Sequence, residues 1–139
     1  MVLEAKLVNY ILAQHAEADA FEAEAPGNWM GRLPSPQDTA YWTARVPTGT
    51  FAEFNRIELE ESAYYATADA YSKSYARSFD FSTMSDAQLE AVITEACNEM
   101  DYQHKAEEAY KKAEELKMTE LANSLNVDMN TLNRWMEAA

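Results

Sequence analysis

A chain of 139 residues with 47% hydrophobic and 12% aromatic content is long enough to bury a core and too apolar to stay disordered. Its 24 acids and 11 bases leave a net charge of −13, which excludes a basic nucleic-acid-binding surface over most of the molecule and disfavours approach to anionic membranes. The single cysteine, Cys97, excludes an internal disulfide, and no apolar run is long enough to span a bilayer. With Glu4 and Lys6 in the first turns and no cleavage pattern behind them, a cytoplasmic location is expected.

All three glycines and all four prolines fall between Pro26 and Gly49. Helix breakers confined to one window predict an all-α protein of three long helices with one irregular loop rich in Pro, Gly and Trp. The charge divides the chain again. Residues 1–103 hold 17 acids and 6 bases, whereas residues 104–139 hold 7 acids and 5 bases. This reads as an acidic helical body followed by a nearly neutral C-terminal helical extension.

In chain order, Leu3, Leu7, Tyr10/Ile11 and Gln14 give residues 2–23 the apolar face of a first helix. Its end carries Glu17, Asp19, Glu22 and Glu24, which oppose the helix dipole, so it should fray or be braced from outside. Residues 25–49 form the loop, with Trp29 and Trp42 expected to pack onto the body. Asp38 is placed to cap a short helical turn running to Arg45, and Val46-Pro47-Thr48-Gly49 reads as a turn. Thr50-Phe51-Ala52-Glu53 has the capping-box pattern and predicts a second helix ending near Arg77. Within it Tyr64, Ala68, Tyr71 and Tyr75 repeat at spacings of four, three and four. Such a row reads first as core; a stacking platform built with Tyr65 is its other use.

Ser85-Asp86-Ala87-Gln88 is a second capping box and predicts a third helix with the stripe Leu89, Val92/Ile93, Ala96 and Met100. Beyond Asp101 the stripe drifts to Ala106, Tyr110 and Ala113, which predicts a kink or a change of packing partner between Tyr102 and Lys105. Glu107→Lys111 and Glu108→Lys112 are favourably oriented pairs that should carry the helix to about Lys117.

Residues 118–137 place Leu121, Leu125, Val127, Leu132 and Trp135 at the apolar positions, and Ala122 at the close-crossing position, of a helix-turn-helix. In this spacing the segment resembles the helix-turn-helix family. Asn126 stands where that family has glycine and can adopt the same left-handed backbone. The resemblance implies a second helix able to enter a major groove, with Asn130, Asn133 and Arg134 as its base-reading residues. Asp128 opposes that use, and Arg134 is the one base on this helix.

Rows of carboxylates on the second and third helices offer a different use. Glu58 and Glu61, then Asp86, Glu90, Glu95 and Glu99, recur at helical spacing, and no base lies between Ser85 and His104. Carboxylates about 6 Å apart along a helix present a basic cleft with something like a phosphate backbone. In size, charge and lack of catalytic residues, the chain is similar to small acidic helical proteins made by bacteriophages. The blocks Tyr41-Trp42 and Phe81 to Glu90 resemble phage-encoded accessory proteins. This likeness implies an anti-defence or host-takeover inhibitor, of the anti-CRISPR, anti-restriction or DNA-mimic class, acting in the host cytoplasm. Its partner would be a basic nucleic-acid-binding host protein or complex. The alternative is a small helix-turn-helix regulator or adaptor that touches DNA directly, as a homodimer.

No enzyme chemistry is expected. Asp101 and His104 have the spacing of one carboxylate–histidine pair, but a dinuclear bundle site needs a second pair and further carboxylates. Cys97 borders the apolar stripe and reads as a buried inert thiol. The glycines are too scattered for a phosphate loop. No catalytic residue, metal or cofactor is therefore assigned.

Overall fold

The computed structural model describes residues 2–138. These form an all-α protein of six helices, with no strand among the described residues. The helices are α1 (Ala5–Glu24), α2 (Thr39–Arg45), α3 (Phe51–Ala70), α4 (Lys73–Arg77), α5 (Asp86–Leu125) and α6 (Met129–Ala138), with a single 3-10 turn at Phe81–Thr83.

Two apolar clusters order the body. Leu7 and Ile11 of α1 meet Trp42 and Val46 of the α2 region and Phe54 of α3. Ala63 of α3 meets Phe81 and Leu89, the second turn of α5, with Val92 and Ile93 at the margin. The loop before α2 is closed onto α1 by polar side chains. Gln14 donates from Nε2 to the Gly31 carbonyl at 2.8 Å and accepts the Leu33 N–H at 2.9 Å. The buried indole of Trp42 donates to the Ser35 carbonyl at 2.9 Å. Trp29, in contrast, is 78% exposed, so only one of the two loop tryptophans packs onto the body. The acidic end of α1 is braced, as its dipole conflict requires: Arg32 reaches Asp19 at 2.7 Å and Glu22 at 2.5 Å.

The helix starts follow their caps. Asp38 accepts the Tyr41 N–H. Ser85 and Gln88 make both halves of a capping box at the head of α5. At Thr50 only one half forms. Its hydroxyl accepts the Glu53 N–H, but the Glu53 carboxylate takes the Thr48 N–H instead of that of Thr50.

The expectations for the end of α3, the tyrosines and Cys97 need correction. The second helix ends at Ala70, not near Arg77, because Ser72 is extended and accepts the Tyr75 N–H, which starts α4 as a separate helix. The buried line of α3 is Ala63, Thr67 and Ala70, while Tyr65, Tyr71 and Tyr75 are exposed. The small residues let α5 approach α3, and the tyrosines turn to the rim. Cys97 is exposed, on the outer side of α5.

Helix α5 runs unbroken between Tyr102 and Lys105, so of a kink or a change of packing partner the kink does not occur, and it continues past Lys117 to Leu125. At 1.5 Å per residue its 40 residues span about 60 Å. Its first part packs against α3. Gln103 makes a late link to the body, donating to the Ala70 carbonyl at 2.9 Å. The division drawn at 103/104 from charge thus falls inside one helix, where its packing ends. Beyond it, Lys105–Asp101, Glu107–Lys111 and Glu114–Lys117 pairs decorate an exposed rod, and Glu108 pairs with His104 instead of Lys112. Such pairs and good helix formers keep the rod helical without a core.

The rod ends at Asn126, the one non-glycine residue with positive φ (54°) among the described residues. Its N–H bonds the Ala122 and Asn123 carbonyls, and the Val127 N–H returns to Ala122 at 3.1 Å. This satisfies the last carbonyls of α5 and turns the chain into α6. Ala122 and Leu132 are buried, whereas Leu121, Leu125 and Trp135 stay exposed.

Replacing Ser85 by Ala removes a hydroxyl that caps the helix carrying much of the body's packing. It should lower stability by about 1 kcal/mol, read as a lower urea midpoint with unchanged slope. An unmoved midpoint would mean that the box is not what starts α5.

Candidate functional site

The six carboxylates singled out from the sequence separate into two groups. Glu58 and Glu61 of α3 face Arg45, the last residue of α2. The guanidinium grips Glu61 with both nitrogens, at 2.6 and 2.8 Å, and reaches Glu58 at 2.8 Å. Arg45 is three-quarters buried, and its Nε has no partner. Asp86, in the first turn of α5, is held by Arg56 of α3 at 2.6 Å. The same guanidinium reaches Glu60 at 3.4 Å and donates to the carbonyls of Phe81, Ser82 and Met84. Glu58, Glu61 and Asp86 therefore serve the fold, tying α2 to α3 and α3 to α5.

Glu90, Glu95 and Glu99 are different. None has an ion-pair partner among the described residues, although Glu99 accepts a hydrogen bond from Gln103 at 3.1 Å. Glu95 and Glu99, four residues apart, lie on the flank of α5 toward Tyr71, and Glu90 lies on the opposite flank. Glu95 lines a cavity of about 70 Å³ together with Thr67, Tyr71, Tyr75, Phe79, Phe81 and Val92. Sequence reasoning ranked these tyrosines with the core and so missed them as site residues; the Ser72 cap was the available signal that the helix breaks and carries Tyr75 out of register.

Asn130, Asn133 and Arg134 lie beyond the rod, on α6. Their i, i+3, i+4 spacing puts them on one face, and all three are exposed. Asp128 caps this helix through the Thr131 N–H at 2.6 Å. That bond, with further ones from the Thr131 hydroxyl and the Asn130 backbone, holds its carboxyl below the ordinary range. The charged form thus occupies the helix N-terminus, where a phosphate would otherwise be drawn.

The Arg45 tie carries a prediction about pH. Glu61 is held below its ordinary pKa by the hydrogen bond from Arg45, with burial opposing. A depressed native pKa contributes stability above the unfolded value, and that contribution is lost as pH falls through the native one. Arg45→Met should lower stability by about 1–2 kcal/mol at neutral pH, between the values for exposed and buried pairs. It should also flatten the loss of stability between about pH 5 and pH 3. Equally steep acid limbs for both proteins would remove Arg45 as the cause. In comparison with known proteins, no family model, curated sequence or solved structure matches this chain.

Proposed function

We propose that this is a non-enzymatic acidic binding protein that occupies the basic nucleic-acid-binding surface of a host defence or nucleic-acid-processing protein, in the manner of phage-encoded anti-CRISPR, anti-restriction or DNA-mimic inhibitors. The observation that carries the reading is the set of unpaired carboxylates on the two flanks of α5. After the arginines of the body have taken Glu58, Glu61 and Asp86, Glu90 remains on one flank and Glu95 and Glu99 on the other, without an ion-pair partner among the described residues. Uncompensated charge costs a folded chain stability through self-repulsion, and a basic partner relieves it while gaining encounter rate. The contact set thus rests on these three, with Glu58, Glu61 and Asp86 adding to the field.

The immobilised protein, presented with a bacterial lysate, should retain basic nucleic-acid-binding proteins and displace their DNA or RNA. The combined Glu90→Lys, Glu95→Lys, Glu99→Lys variant should lose both effects with its circular dichroism unchanged. Retention that survives this reversal overturns the proposal. Reversal at Glu58 or Glu61 is a poor test, since it would also break the Arg45 tie.

A second reading has its own observation. The left-handed Asn126, the buried Ala122 and Leu132, and the common face of Asn130, Asn133 and Arg134 support a helix-turn-helix-like unit that touches DNA. In that reading a homodimer covers Leu121, Leu125 and Trp135. Salt-sensitive, sequence-selective mobility shifts of duplex DNA, lost in Arg134→Ala, are its expected result. Absence of any shift at low salt removes it.

A further inference from the structure

Tyr71 at the end of α3, Tyr75 of α4 and Phe79 just beyond α4 come together at a cavity that Glu95 of α5 also lines. Tyr71 and Tyr75 stand edge to face at 5.1 Å, Tyr75 and Phe79 at 5.0 Å, and Phe79 leans on the buried Phe81 at 5.8 Å. Tyr71 is 51% and Tyr75 48% exposed, so the rings are not spent on the core. Between them and α5 lies the cavity of about 70 Å³, open to solvent, with Glu95 on its wall and no Lys or Arg in its lining.

The chemistry of that lining selects its occupant. The volume is that of about two waters, far below the 300 Å³ or more of a site for a drug-sized ligand, so it takes an end group. Ring faces are negative and attract cations, and a carboxylate at the edge excludes anions and has no use for a hydrocarbon. The Tyr71 hydroxyl is held above its ordinary pKa by burial first, then by Glu99, Tyr75 and Glu95. It therefore stays neutral, and Glu95 supplies the charge.

We propose that Tyr71, Tyr75, Phe79 and Glu95 form a cation-binding cup that receives an arginine side chain of the basic partner. The planar guanidinium stacks on a ring and keeps in-plane donors for the carboxylate, a combination that a lysine ammonium cannot match. The identity of the partner rests on the acidic-surface reading; the cup itself does not. A quaternary ammonium compound is the other source of the same cationic chemistry.

The test is an NMR titration of the aromatic ring signals of the full chain with three probes: a short arginine peptide, the same peptide with citrulline, and tetramethylammonium. The arginine peptide should shift the rings of Tyr71, Tyr75 and Phe79 and bind about tenfold more tightly than the neutral citrulline peptide. Glu95→Gln should weaken it several-fold and Tyr75→Leu should abolish it, while Glu17→Lys, exposed on α1 and outside the cup, should leave it unchanged. Equal shifts with citrulline, or no ring shift at all, overturn the cup and leave the lysate experiment to decide the acidic-surface reading. Tighter binding of tetramethylammonium than of the arginine peptide overturns the arginine assignment. Loss of lysate capture on charge reversal without any ring shift would support the acidic surface and sink the cup.

Discussion

Folding brings the carboxylates of this chain together, and 24 acids against 11 bases cannot be paired one to one. The body meets this with arginine. Arg32, Arg45 and Arg56 each hold at least two carboxylates, and each joins elements distant in sequence. Lysine would serve less well, because one guanidinium presents five donors in a plane and can bridge two acids or an acid and a carbonyl. Arg45 shows the limit of the device. Its terminal nitrogens are committed to Glu58 and Glu61, and its buried Nε is left without a partner.

That arrangement decides where the surface charge is free to act. Acids held by an arginine are internal ties whose charge is partly offset; acids on α5 beyond the reach of Arg56 are not. The same geometry leaves Tyr71 and Tyr75 on the rim. The closest packing of α3 on α5 uses Ala63, Thr67 and Ala70, and larger side chains on that line would push the helices apart. An aromatic rim beside uncompensated carboxylates sets a ring anchor next to charge, the combination on which the proposed contact with a basic partner rests.

What the sequence disclosed was local chemistry. The caps at Asp38 and Ser85, the left-handed Asn126 and the Val46–Gly49 turn each depend on a few adjacent residues, and each formed as read. The Arg45 tie was not legible, because its partners lie 13 and 16 residues away and are reached only after the loop folds back. The row of tyrosines misled for a related reason. Helical spacing shows that residues share a face, but not which face another helix will take. Of the two outcomes that the drifting stripe allows, a kink or a change of packing partner, α5 shows no kink: beyond Gln103 the rod leaves α3 behind, and α6 meets it only at its far end, over Ala122.

The rod separates the two ends of the molecule in an electrical sense as well. From Gln103 to Ala122 the axis advances about 28 Å at 1.5 Å per residue, more than three Debye lengths at physiological salt. The field of the acidic body is therefore largely screened before it reaches Arg134 and its neighbours. A net charge of −13 on the whole chain does not by itself forbid polar or apolar contacts at the tip, nor do the lysines of the rod neutralise the carboxylates near Tyr71. Each end has to be judged by its own side chains. By that measure the body offers unpaired acids and open rings, while the tip offers a near-neutral hairpin with an uncovered Leu121, Leu125 and Trp135.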